Sequence, residues 1–408
     1  MRVGSNWSGH HQYGAGVLHR PRSIEEVQTI VAASRRIRAL GSRHSFNDIA
    51  DSVVLISLDA LDPAVVIDDA SETVSFSAGM RYGELGTALQ NAGWALRNLA
   101  SLPHISVAGA VATGTHGSGD RNGTLARAVS GIELVDAAGS LRQISPVDPD
   151  FDGAVVSLGA LGVVTRLTLD IEPTYQVRQD LYSGLEWSAL LENFDAITGR
   201  AYSVSVFTDW ASIGPVWLKS RTDAAAPPRS LFGAKPYASE VHMIAGMAAT
   251  NTTPQLGVSG PWNERLAHFR LEFTPSNGDE LQTEYLIPRR HAIDAIEAVR
   301  AMASAITPLL HITEFRTMAA DSLWLSGAYE TDAVGIHFTW LNQPAAVLAL
   351  LPHIEEALAP FSPRPHWGKL FDAVDRNLYP RLPDFVALAE RMDPTGKFRN
   401  AFLDEHVF

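Results

Sequence analysis

The chain has 408 residues, 46% of them hydrophobic and 19% charged; these are the proportions of a packed globular protein with room for two domains, not of a disordered or fibrous one. Lys and Arg number 32 against 45 Asp and Glu, a formal charge of −13, so the surface repels nucleic acid and anionic lipid and any bound anion must be held locally. Cysteine is absent, which excludes disulfides, thiolate metal sites and thiol nucleophiles and agrees with a reducing compartment.

The opening stretch, Met1 to Gly16, is rich in Gly, His, Ser and Asn and lacks the apolar run a signal peptide needs. No segment reaches the roughly 18 consecutive apolar residues of a membrane span, so the expectation is a soluble cytoplasmic protein. After Arg20-Pro21-Arg22, Ser23 stands three residues before Glu26, a capping-box spacing that predicts a helix start. Ile24, Val27, Ile30 and Val31 continue it at helical spacing, and Ile37 to Leu40 reads as a buried strand ending in the loop Gly41-Ser42-Arg43-His44-Ser45. Strands are predicted at Val53–Leu58, Val65–Asp68 and Thr73–Ala78, then a helix from Tyr82 that Gly93 closes.

Residues 101 to 119 are small and Gly-rich. Gly131–Val135 and Leu141–Ile144 flank Ala137-Ala138-Gly139-Ser140 as a hairpin, and Val163–Ile171 gives a further strand. Beyond Pro173 the pattern changes to long apolar strands such as Tyr202–Trp210, with a helical run at 291–303. The last helix, from Leu382, ends before Asp393-Pro394-Thr395-Gly396. The expected fold class is α+β, with one domain over 1–172, a second over 173–372, and a C-terminal segment, 373–408, returning to the first.

Five segments carry chemistry. The run from Ile105 to Gly119, with Ser106, Gly109, Thr113, Gly114, Thr115 and His116, exposes backbone N–H groups able to nest a pyrophosphate, although Gly-rich composition alone also fits a flexible loop. Gly41–Ser45 forms a second tight turn able to meet the same anion. Neither is a G-x-G-x-x-G opening a helix after a first strand, which argues against a nicotinamide site. Thr313-Glu314-Phe315-Arg316-Thr317 alternates as a strand and sets Glu314 and Arg316 on one face; this is either a bidentate clamp for hydroxyls or the weak ion pair of an exposed strand edge. His337-Phe338-Thr339-Trp340 aligns His337 with Thr339. In Pro365-His366-Trp367-Gly368-Lys369, Lys369 is either a desolvated base or a snorkelling surface amine.

Together with Ser101-Leu102-Pro103-His104-Ile105-Ser106, Gly114-Thr115-His116-Gly117 and the closing Asp393-Pro394-Thr395-Gly396-Lys397-Phe398, these motifs resemble the vanillyl-alcohol-oxidase type of FAD enzymes. Within it they are most similar to the alditol oxidases and sugar-lactone oxidases, over nearly the whole chain. The resemblance implies a two-lobed FAD-binding domain with an α+β cap domain over the flavin ring. It implies FAD linked covalently, as 8α-histidyl, through His44. Leu40, Gly41, Ser42, Arg43, Ser45, Ser101, Ser106, Gly109, Thr113, Gly114, Thr115, His116, Val163 and His366 would contact the cofactor, and the small Ala100 would leave room for dioxygen. Ser101, Glu314, Arg316, Thr339 and Lys369 would bind a linear polyol such as xylitol or sorbitol, with Lys369, Arg316 and Glu314 at the reacting end. The implied reaction oxidises a terminal CH–OH and reduces O2 to H2O2, in a monomer with no metal. An aldonolactone oxidase or dehydrogenase is the nearest alternative. Arg43 stands where some relatives carry Gly; since positive φ costs an L-residue on the order of 1 kcal/mol, a negative φ and a phosphate contact are expected there.

Overall fold

The computed structural model describes residues 3–273 and 279–408; Met1 and Arg2 of the opening stretch lie outside them. The first helix, Ile24–Ala33, starts at Ser23, whose hydroxyl accepts from the Glu26 amide at 3.3 Å. The Glu26 carboxylate reaches the amide of Arg22 instead of Ser23, so only half of the predicted reciprocal box forms. The buried Val27 and Val31 press this helix on Ile37, Ile56 and Val163. Hydrogen-bonded strand is shorter than the apolar runs that announce it. Val17–His19, Val54–Ile56 and Arg38–Ala39 make a small parallel sheet with Val54–Ile56 in the middle.

A five-stranded antiparallel sheet follows, in the spatial order Val65–Asp68, Thr73–Ser77, Val163–Asp170, Val129–Val135, Leu141–Ile144. In Val163–Asp170 burial alternates residue by residue, which is why Val163 is a full member of the core beneath the first helix while Val164 is only half-buried. The helix Tyr82–Asn91 gives way to Gly93 at φ 84°, a left-handed position that suits glycine. Residues 101–119 contain one short helix, Val107–Ala112.

The largest sheet has nine strands, drawn mainly from Gln176–Ser183, Ile213–Arg221, Ser203–Thr208, Leu310–Met318, Ala333–Leu341 and Glu280–Pro288, laid side by side in that order and antiparallel throughout. Period two decides what each face does. Leu281, Phe315, Ile336, Phe338 and Trp340 pack with Ile296, Val299, Leu351 and Ile354 of the helices Ala292–Arg300 and Pro344–Leu358. The residues between them, Glu284, Glu314, Arg316, His337 and Thr339, line a cavity on the opposite face.

The C-terminal helices Leu382–Met392 and Ala401–His406 place Phe385, Leu388, Phe402 and Leu403 in one cluster with Val107, Val155 and Leu167. The Ile37 amide donates to the Lys397 carbonyl, and the Lys397 ammonium donates to the Val31 carbonyl at 2.6 Å. Arg38 is buried and donates to the carbonyls of Phe398 and Leu158. Chain positions more than 350 residues apart are thereby tied together. Among the described residues, no helix is long and apolar enough to cross a membrane.

Candidate active site

One cavity runs between the loops of the first 172 residues and the polar face of the nine-stranded sheet. Its first wall is made by two loops joined reciprocally: the Ser106 amide donates to the Ser42 hydroxyl at 2.8 Å, and the Ser42 amide donates to the Ser106 hydroxyl at 3.4 Å. A Cβ on Gly41 would collide with the Ser106 hydroxyl, and one on Gly109 would meet the same oxygen at 2.7 Å, so glycine is what lets the two backbones approach. Leu40, Gly41, Ser42, Arg43, His44, Ser45, Ala100, Ser101, Ser106, Gly109, Thr113, Thr115 and His116 all face this space. Two predicted contacts do not. Val163 is consumed by the core and Val164 takes its place on the wall; Gly114 holds a left-handed turn at φ 64° behind the lining.

Arg43 corrects an expectation. Its φ is +65°, not negative, and its guanidinium donates to the carbonyls of Val3 and Ser5 and lies 5.6 Å from the Tyr13 ring centre. A charge-assisted bond to backbone offsets a backbone cost of on the order of 1 kcal/mol. Arg43 thus clasps the opening segment against the loop.

His44 stacks on Trp7, with ring centres 5.5 Å apart, and its Nδ1 lies 3.1 Å from the Ser42 hydroxyl. Its Nε2 is buried and has no protein partner. Burial is the largest cause that pulls the pKa of His44 down to about 4, assisted by His104 and Arg81. The result is a neutral imidazole with an unshared nitrogen in the wall of a cavity lined by small residues and backbone amides, an arrangement that fits a flavin dinucleotide.

At the far end the polar strands converge, as their alternation predicted. Glu314 and Arg316 are only 3% and 5% exposed, which rules out the exposed strand edge. They do not form a bidentate pair: Arg316 Nε is 3.5 Å from Glu314 Oε2. Arg316 instead forks between the Ser101 hydroxyl, at 3.2 Å, and Glu284 Oε1, at 3.1 Å. Lys369 Nζ donates to Glu284 Oε2 at 2.5 Å, and His116 Nε2 is 3.0 Å from Glu284 Oε1. On the other side, His268 Nε2 donates to Glu314 Oε1 at 2.8 Å, with His337 Nδ1 3.7 Å from Oε2. Asn47 fixes the Lys369 loop by donating to the carbonyls of Trp367 and Lys369, and His366 Nδ1 accepts from the Gly368 amide.

Burial acts on every charge here, and partners decide the sign. Burial raises Glu284, but Lys369, His116 and Arg316 outweigh it and hold the carboxyl well below the usual range. The same contest, with Arg316 and His268 as partners, keeps Glu314 ionised. Lys369 is lowered chiefly by burial, with Glu284 opposing. His337 falls to about 4 through burial and the Lys369 charge, and His366 falls well below its ordinary value by burial, so both rings are neutral near pH 7.

Sequence reasoning missed Glu284, Gln282 and Glu280, although Glu280-Leu281-Gln282-Thr283-Glu284 already alternates and would have placed three polar groups on one face. It also missed His268 and the apolar lining from Phe207, Met243, Ile244, Phe269 and Ile312. His268 comes from an irregular segment with no period to read.

Residues 15–145 match the FAD binding domain family, and residues 277–406 match the family described as D-arabinono-1,4-lactone oxidase. The chain is 50% identical to an alditol oxidase of Streptomyces sp. (strain IKD472 / FERM P-14339), over 98% of this chain and 97% of that one. It is 28% identical to an L-gulono-1,4-lactone dehydrogenase of Mycobacterium tuberculosis, over 98% of each. In three dimensions it resembles the cholesterol oxidase of B. sterolicum with a TM-score of 0.81 at 14% identity, covering 99% of this chain and 96% of that one; this shows a common α+β fold. With half its residues shared along nearly the full length, the chain belongs to the alditol oxidase family of FAD-dependent oxidoreductases.

Proposed function

We propose that this protein oxidises the terminal CH–OH of alditols such as xylitol and sorbitol to the aldose, with dioxygen reduced to hydrogen peroxide. The observation that carries the reading is the constellation of the buried Glu314, Arg316 and Thr339 with the half-buried Ser101 and Lys369 at one end of the cofactor cavity. A linear polyol is uncharged and has a hydroxyl on every carbon, so its site must alternate donors and acceptors, and a missed bond leaves a polar group unpaired. Glu314 accepts; Arg316 and Lys369 donate; Ser101 and Thr339 do either.

Lys369, drawn toward its neutral form by burial, takes the proton of the terminal hydroxyl at Nζ. Arg316 stabilises the negative charge that develops on that oxygen. FAD, when bound, supplies the hydride acceptor and the passage of the electron pair to dioxygen. Around it, Gly41–Ser45 and Ser106–His116 hold the pyrophosphate and Ala100 leaves space for oxygen. We infer a covalent 8α bond to His44, since that imidazole is neutral, buried and unshared at Nε2. The same reading assigns 1–172 with 373–408 to the FAD-binding domain and 173–372 to the substrate domain, in a cytoplasmic monomer.

The similarity of residues 277–406 to a lactone oxidase family favours an aldonolactone as the second reading. A peroxide assay comparing xylitol and sorbitol with L-gulono-1,4-lactone separates the two. Higher kcat/KM for the polyols is expected; turnover of the lactone alone would move the protein to the lactone branch.

A further inference from the structure

Four charged side chains meet at the reacting end of the cavity: Glu284 and Glu314 against Arg316 and Lys369. The groups facing Lys369 from the neighbouring strands and loops are Glu284, Arg316, Glu314, His116, His337 and His366, and Glu280 lies further along the face of Glu284, bonded to Gln282. Glu284 is the member that reaches both cations, with one oxygen on Arg316 and the other on Lys369, and its side chain is fully buried. Resting on the polyol reading above, we propose that Glu284 is a positioning and specificity-determining residue. It clamps the Lys369 ammonium and the Arg316 guanidinium at a fixed separation, and it cancels charge so that the site admits an uncharged polyol and excludes carboxylates such as the aldonic acids.

The argument is electrostatic. Without Glu284, the two cations would have Glu314 as the counter-charge beside them, Glu280 lying further along the face, and a local excess of buried positive charge attracts an anion. With Glu284, the four charges sum to zero while Lys369 is protonated and to −1 once it has become the neutral base, so in neither state does an incoming carboxylate gain anything to offset its desolvation. Each Glu284 oxygen also holds its partner side chain in place, so neither Lys369 Nζ nor the Arg316 guanidinium has to rearrange as charge develops on the substrate oxygen. Glu284 comes from the strand Glu280–Pro288, Arg316 from Leu310–Met318 and Lys369 from the loop after Arg364–Pro365; the carboxylate therefore also ties three chain segments.

The test uses the flavin-loaded protein and the variants Glu284→Gln and Glu284→Asp. Acetate, which has no hydroxyl to oxidise, is titrated at pH 6 and followed by the flavin difference spectrum; xylitol reduction is measured anaerobically across pH. In E284Q, acetate is expected to bind about tenfold tighter than in the native protein. Xylitol reduction should slow by about 100-fold, and its rise with pH should move to lower pH because Lys369 loses the anion that favours its charge. E284D keeps the charge but not the reach, so it should exclude acetate as the native protein does and still reduce slowly. Unchanged acetate affinity together with an unmoved pH profile in E284Q would overturn the proposal. Should E284Q fail to hold flavin, E284D decides: a native rate in that variant would overturn the clamp. A native protein that xylitol does not reduce would sink the polyol reading by itself, and the acetate comparison would still judge the charge claim.

Discussion

At Arg43 the backbone takes a conformation that an L-residue avoids, and the compensation is visible in the two carbonyls and the tyrosine face that its guanidinium reaches. Arg43→Ala keeps the strain and deletes the compensation, so the urea midpoint should fall by the equivalent of roughly 1–3 kcal/mol; an unchanged midpoint would show that the clasp contributes nothing. His44 is a different case, since its buried ring has an unshared nitrogen. After acid precipitation and washing, His44→Ala should release its flavin into the supernatant while the native protein stays yellow. Flavin retained in the variant pellet would disprove the linkage. The sequence announced His44 and Lys369 through their motifs, but it misjudged Arg43, because a local steric rule carries no information about partners 38 and 40 residues away.

Among elements, alternation did most of the predictive work. The strands Leu310–Met318 and Ala333–Leu341 show it plainly: Glu314, Arg316, His337 and Thr339 fall on the cavity side and Phe315, Ile336 and Phe338 on the helix side. The same rule was not applied to Glu280–Pro288, and Glu284 was lost with it. Strand ends were less legible because an apolar run records burial, whereas a strand ends where its hydrogen-bonding neighbour ends; Ile37 is buried, yet its amide goes to the Lys397 carbonyl of the C-terminal segment and not to the neighbouring strand. The joined loops give a prediction at this scale. Gly41→Ala drives a Cβ into the Ser106 hydroxyl, so the two loops must separate, and the variant should purify with well under half the flavin per chain of the native protein. Equal flavin content would contradict the claim that these backbones must touch.

For the molecule as a whole, buried neutral histidines couple the fold to pH. His337 has a pKa of about 4 in the folded chain against an ordinary 6.5. Between those values the unfolded chain binds more protons, so stability is lost as pH falls from about 6.5 to 4, by up to roughly 3 kcal/mol for this group. His268 and His366 shift in the same direction. Glu284 and Glu314, held below 4.5, add a second loss as pH drops below that value. Urea midpoints of the flavin-free protein should therefore decline already between pH 7 and 5, and less steeply in His337→Asn; a flat profile to pH 5 would contradict the account. The anchoring of the C-terminal segment through Arg38 and Lys397 was not legible in the sequence, because long-range pairing leaves no local pattern. The most direct test of the whole account is one anaerobic turnover: purified, flavin-loaded protein mixed with xylitol, with the yellow absorbance followed to completion and peroxide measured when air is admitted. Bleaching with one peroxide per flavin is the predicted result, and a flavin that stays oxidised under xylitol but bleaches with an aldonolactone would contradict it.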